Sequence, residues 1–226
     1  MARPKENERQ DVRPLVLAAA QRLFLEHGYH NVTMRRIARE IGYTPGTIYL
    51  YFKNKAEILY ELHNAGFRRL QERRVRALAD GAGGAIEKLA VGGKNYVAFA
   101  LENPELYELM FFLREPREHI EARRAAPDGP EAAEIDYSLK SYENLKTTLR
   151  ECMAEGYYPG ADLDTTAFFH WALVHGLASL AIRDRVPFPR KPTRELADAV
   201  VELLMGLIER TRTGRRGRSR KTEKRP

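Results

Sequence analysis

Residues 33–55 read TMRRIAREIGYTPGTIYLYFKNK, and the order of capping, apolar and turn-forming residues in this stretch decides the architecture. Thr33 carries the short oxygen-bearing side chain that caps a helix, and behind it Ile37, Ala38 and Ile41 recur at the spacing of one helical face. Gly42 is free to take the positive φ that stops a helix, and Thr44-Pro45 opens another at once, a threonine cap with proline in the first turn. Two short helices joined by so tight a glycine turn predict a helix-turn-helix. In that motif the second helix sets its first residues against base edges in the major groove while neighbouring groups hold phosphates.

Thr44, Pro45, Gly46 and Thr47 form that leading end: two hydroxyls that can meet bases or phosphates, and a glycine that permits close approach. No long Asn, Gln or Arg side chain stands there, so readout would rest on methyl contacts and DNA shape. Tyr49 and Tyr51 bring phenolic donors and Lys53 and Lys55 bring charge, Lys55 at the amino end of the next helix, where free N–H groups attract anions. Arg35 and Arg36 can hold phosphates across the groove. The plain alternative is that Tyr49, Tyr51 and Phe52 pack a small domain and the basic residues form a solvated face.

Outward from this stretch the chain reads as helix throughout. Upstream, Asp11 caps a helix that lines up Leu15, Ala19 and Leu23 beside Val16, Ala20 and Phe24 before Gly28. Downstream, Asn54 with Glu57 makes a capping-box-like start to a long helix ending near Ala79. Gly81, Gly83 and Gly84 interrupt it, and further helices follow: one carrying Ile86, Leu89 and Val97, one opened by Asn103-Pro104, and one from about Glu131 to Glu155 with Ile135, Leu139, Tyr142, Leu145, Leu149 and Cys152 inward. The last two run from an Asp162 or Asp164 cap to about Asp184, and from Thr193 to about Arg210. The expected fold is all-α, about nine helices, with residues 1–53 as a three-helix head, 54–210 as a larger helical domain and 211–226 as a disordered basic tail.

The 226 residues are 43% hydrophobic and 31% charged, enough apolar material for a true core, which excludes a disordered chain. The net charge of +7 is unevenly placed: residues 210–226 hold nine Lys/Arg against Glu223, the first 60 residues are basic, and the body between is acidic. A basic head and tail point to nucleic acid. The single cysteine, Cys152, forms no intrachain disulfide, and the start MARPKENERQDVR lacks the apolar run of a secretory signal, so a cytoplasmic setting is expected. The most apolar run, Ala167 to Ile182, has 16 residues and contains His170 and His175, fewer than the roughly 20 a bilayer-spanning helix needs. It reads as a buried helix, with no membrane partner. Those two histidines, five apart, do not share a face as paired metal ligands would, and no phosphate loop or zinc-type cysteine spacing occurs. Neither a catalytic residue nor a metal or cofactor is expected, and Cys152 reads as an inert core residue.

The span from Asp11 to Leu62, with LFLEHGYHNVTMRRIA followed by IGYTPGTIYLYFKNKAEIL, resembles the amino-terminal domain of the TetR family of bacterial transcriptional regulators. By that resemblance Thr33, Arg35, Thr44, Pro45, Gly46, Thr47, Tyr49, Tyr51 and Lys55 fall on positions the family turns toward DNA. Trp171 to Gly176, a Trp, three residues and His-Gly, together with NPELYELMF at 103–111, resembles one carboxy-terminal type of the family. The resemblance implies a homodimer in which the last two long helices pair across the two-fold, and a ligand pocket in each larger domain. Leu173, Gly176, Leu180, Leu203 and Leu207 are the expected interface. Tyr96, Phe112, Tyr142, Trp171 and His175, large residues that except for Phe112 carry polar tips, are the expected pocket lining. The implied function is a repressor released from a palindromic double-stranded DNA operator by a small-molecule effector. The second reading is a constitutive DNA-associating protein with no effector, its affinity drawn partly from the tail.

Overall fold

The computed structural model describes residues 12–79, 81, 83–111, 135–183, 185 and 193–213. Among these there are nine α-helices and no strand: α1 Val12–His27, α2 Met34–Glu40, α3 Pro45–Tyr49, α4 Lys55–Ala79, α5 Ala85–Glu102, α6 Pro104–Phe111, α7 Tyr137–Ala154, α8 Leu163–Ile182 and α9 Thr193–Glu209. A single 3₁₀ turn, Tyr29–Asn31, lies between α1 and α2.

The chain divides into two compact units, Met1–Arg69 with Asn103–Ser138, and Leu70–Glu102 with Leu139–Pro226. In the first, α1 buries Val16, Leu23 and Phe24 against Ile37 and Ala38 of α2, Ile48 of α3 and Ile58 of α4, and Leu109 of α6 completes this core. The α4–α6 approach depends on a missing side chain. A Cβ on Gly66 would lie 2.6 Å from Met110 Sδ, so only glycine lets the two helices come this close. Buried Asn64 of α4 accepts from Tyr137 N at 2.8 Å and donates to Ile135 O at 3.0 Å, satisfying backbone groups where α7 begins. In the second unit α5 packs against both α8 and α9. Ala85, Leu89, Leu149, Cys152, Ala167 and Ile208 form a second core there.

Several expectations need correction. The helix expected from about Glu131 begins at Tyr137, because Asp136 Oδ1 accepts from Ser138 N at 3.0 Å and caps it there. Ile135 and Leu139, expected to face inward, are 48% and 46% exposed, since both sit at that capped end. The expected buried helix is α8, and it is covered on one side only: Thr166, Ala167, His170 and Ala178 are buried while Phe168 and Phe169 are 59% and 50% exposed. Because Asp162 caps it upstream of the apolar run it has 20 residues, a length and composition that could cross a membrane and that a core helix of a soluble protein shares. The tail expected to be disordered from residue 211 is held for its first three residues. Thr213 N donates to Gly156 O at 2.9 Å, and the Arg212 guanidinium lies 4.9 Å from the Tyr157 ring centroid. Residues 214–226, the cap at Asp11, and Phe112 lie outside the described residues.

Candidate nucleic-acid interface

The helix-turn-helix is built by its own side chains. Thr33 Oγ1 accepts from Arg36 N at 3.1 Å to start α2, and Gly42, at φ +73°, turns the chain out of it. Thr44 Oγ1 accepts from Thr47 N at 3.3 Å to start α3. The Thr44 and Thr47 hydroxyls also lie 3.0 Å apart, within hydrogen-bonding distance of each other, so the leading edge presents them as a coupled pair. Beside them Gly46 has an ordinary backbone conformation, and a Cβ there would meet only Thr44 Oγ1, at 3.7 Å. Among the described residues nothing in the packing demands a glycine at 46.

Tyr49 is 55% exposed, and the ring of Tyr51 is half-buried against the head core. Thr33 and Arg35 are exposed, while Arg36, Pro45 and Thr47 are half-buried. Among the described residues neither Arg35 nor Arg36 forms an ion pair, whereas Arg22 nearby is engaged by Glu40. Lys55 is differently employed from its expected place on a phosphate. Its ammonium donates to Tyr29 O at 2.8 Å and Val32 O at 3.0 Å, reaches His30 O at 3.4 Å, and lies 4.2 Å from the Tyr29 ring centroid. Three donors meeting three carbonyls pin the 3₁₀ turn to the start of α4 and leave none for DNA in this arrangement. Tyr43, 37% exposed in the turn, was not singled out from sequence, because turn position alone says nothing about where a tyrosine points.

In the second unit, four of the five residues grouped as pocket lining come together. Tyr96 Oη lies 3.3 Å from His175 Nδ1. The His175 and Trp171 rings are 6.1 Å apart, and Trp171 meets Tyr142 edge to face at 6.0 Å. All four are half-buried, and burial holds His175 below the ordinary histidine range, favouring the neutral ring. His170 faces elsewhere, with its Nε2 2.7 Å from Tyr158 Oη. Cys152 is fully buried, and burial pushes its thiol up to about 12, which keeps it protonated and unreactive.

Of the residues expected at an interface, Leu180, Leu203 and Leu207 are 51%, 65% and 50% exposed, and Leu173 is half-buried. Gly176 has nothing within 4 Å of where a Cβ would stand, and the same is true of Gly206, which the sequence reading passed over. A glycine within a helix costs about 1 kcal/mol relative to alanine, the signal that could have marked it.

The sequence profile of the tetR family of bacterial regulatory proteins matches residues 16–62, and that of a tetracyclin repressor-like C-terminal domain matches residues 89–204. The HTH-type transcriptional regulator AcrR of Shigella flexneri is 27% identical over 165 residues, 73% of this chain and 74% of that protein. The fatty acid metabolism regulator protein of Bacillus subtilis (strain 168) is 40% identical over 76 residues, 34% of this chain and 39% of that protein. Among solved structures, the fatty acid degradation regulator FadR from Bacillus halodurans superposes with a TM-score of 0.65 at 21% identity, covering 88% of this chain and 96% of that one. The ketosteroid transcriptional regulator KstR2 of Mycobacterium tuberculosis gives a TM-score of 0.59 at 20% identity over 88% and 95%. At these identities the structures testify to the shared fold. The two profiles account for both halves of the molecule, the helix-turn-helix head and the helical body, and the chain belongs to the TetR family of bacterial transcriptional regulators.

Proposed function

We propose that the protein is a cytoplasmic repressor that holds a palindromic operator as a homodimer and lets it go when a small molecule enters the second unit. The observation that carries the DNA-reading part is the leading edge of α3. The Thr44–Thr47 hydroxyl pair stands beside Gly46, which the fold does not require, and exposed Tyr49 follows. A surface of this kind suits close approach of a nucleic-acid backbone. Thr33, Arg35, Arg36, Pro45 and Tyr51 flank it, and Lys55 acts from behind by positioning the turn. The exposed Leu180, Leu203 and Leu207 with Gly176 support pairing of α8 and α9 across a two-fold. The half-buried Tyr96, Tyr142, Trp171 and His175 group supports an effector site. An effector would work by binding one dimer geometry more tightly than the other. Two of the similar proteins are named for fatty acid and ketosteroid regulation, which favours a largely apolar effector.

The test is binding of purified protein to DNA from its own upstream region against scrambled DNA at two salt concentrations, with and without residues 214–226. Preference for the native DNA that survives removal of the tail and is lost in Thr47→Ala or Tyr49→Ala is expected. Binding that ignores sequence, weakens steeply with salt and disappears with the tail would favour the constitutive reading, for which the seven basic residues of 214–226 are the supporting observation.

A further inference from the structure

Among the described residues of the second unit, one half-buried guanidinium has no counter-ion. Arg74 of α4 is half-buried, and among the described residues its one hydrogen bond runs from Nη2 to Thr148 Oγ1 of α7 at 2.8 Å. Among the described residues no carboxylate lies within ion-pairing distance. Glu151, whose field reaches it, is engaged by Lys88 Nζ at 2.9 Å. Neighbouring cations are matched: Arg73 is held by Glu102, and Lys146 by Asp164 at 2.7 Å. Burial lowers the Arg74 pKa, the mark of a charge removed from water without a counter-ion. A guanidinium has five N–H donors, so most of its capacity is unspent.

Two further polar groups stand on the same face of α7. Thr148 Oγ1 donates back to Asn144 O at 3.1 Å, and the Asn144 Nδ2 and Ser141 Oγ atoms are buried with no hydrogen-bond partner among the described residues. Positions 141, 144 and 148 are three and four apart, so the three side chains line one stripe of the helix. Buried polar atoms left unpaired are costly, so two on one stripe beside a cation with no counter-ion among the described residues mark a place for an acceptor.

The surroundings close into a ring through four helices. Arg74 Nε lies 3.7 Å from where a Cβ on Gly92 of α5 would stand, and one turn along α5 Tyr96 reaches His175 of α8. From His175 the path runs through Trp171 to Tyr142 of α7, next to Ser141. The ring is polar at one end and aromatic at the other.

We propose that Arg74, the Asn144 amide and the Ser141 hydroxyl form an anchor for the carboxylate of an apolar organic acid whose body lies against Tyr142 and Trp171. This rests on the reading that the second unit holds an effector. One guanidinium matches one negative charge, and the amide and hydroxyl donate to the remaining lone pairs, the geometry of a monoanion rather than of a polyphosphate.

Trp171 is the only tryptophan in the chain, so its fluorescence reports on the ring directly. The full-length protein is titrated with matched sets sharing one apolar body: benzoate, benzamide and benzylamine, and decanoate, decanamide and decylamine. The acids are expected to perturb Trp171 and raise the thermal midpoint at concentrations at least about tenfold below those of the amides, with the amines weakest. Arg74→Gln removes that preference and Arg74→Lys keeps part of it. Amides or amines that bind as well as the acids, or an acid preference that survives Arg74→Gln, overturn the anchor and leave the effector reading standing. No response in any arm overturns the anchor and removes the support for an effector in this ring as well. The comparison of acid with amide on the unsubstituted protein decides the matter even where Arg74→Gln fails to fold.

Discussion

At Lys55 the chemistry is that of a half-buried clasp. Three backbone carbonyls and an aromatic face surround one ammonium, so Lys55→Met is expected to lower unfolding stability by about 2 kcal/mol, read from the urea midpoint. An unchanged midpoint with weakened DNA binding would return Lys55 to the phosphate role. His170 behaves oppositely, as a group kept neutral. Burial lowers its pKa from 6.5 to about 4, so between those values the unfolded chain binds a proton that the folded one refuses. Its contribution is complete above pH 6.5 and lost as pH falls toward 4, roughly 3 kcal/mol at the acid end. Glu102 and Asp162, held below the ordinary carboxylate range by Arg73 and by the Thr165 N–H, lose theirs only further down. The thermal midpoint is therefore expected to drop between pH 6.5 and 4.5, and His170→Asn, starting lower, is expected to show a flatter profile over that window.

At the scale of the element, two helical glycines make opposite predictions from the same propensity. Gly66→Ala gains about 1 kcal/mol of helix propensity but drives a methyl into Met110, an overpacking of about 1–3 kcal/mol, so a net loss is expected in chemical unfolding. Gly176→Ala meets open space and is expected to stabilise the isolated protomer by about 1 kcal/mol. The starts of α2, α3 and α8 were legible because a cap oxygen and the N–H that donates to it lie three residues apart: Thr33 with Arg36, Thr44 with Thr47, Asp162 with Thr165. At Asn54 the box appears displaced by one, with Glu57 Oε2 accepting from Lys53 N at 2.5 Å while Asn54 Oδ1 accepts from Glu57 N. The start of α7 was not legible in the same way, because Asp136 stands between Ile135 and Leu139, whose helical spacing runs straight through it.

For the whole molecule the surface proposed for pairing is the apolar face that α8 and α9 present. Leu203→Glu and Leu207→Glu are expected to shift the protein from dimer to monomer in sedimentation at micromolar concentration, because a charge at a closed apolar contact must be desolvated without a partner. Gly176→Ala is expected to weaken association at the same time as it stabilises the protomer, since an added methyl obstructs close helix approach. Dimers that persist in all three variants would place the pairing elsewhere. The interface candidates could be named because a helix apolar on two sides announces itself in sequence. Which side is covered within the chain could not be read that way: His170 faces Tyr158 and the core, while Phe168 and Phe169 are exposed.

By itself the sequence determined the helix-turn-helix, the succession of helices and the family, because caps, glycine stops and apolar stripes act within one or two turns of the residue that carries them. Only the tertiary structure decided what individual polar groups do. Lys55 clasps carbonyls 23 to 26 residues away, and Arg74 reaches Thr148 across 74 residues. The destination of a long side chain depends on which helices pack beside its own, and no local periodicity encodes that. The unpaired atoms of Ser141 and Asn144 became visible for the same reason: whether a polar group is satisfied is a property of everything folded around it.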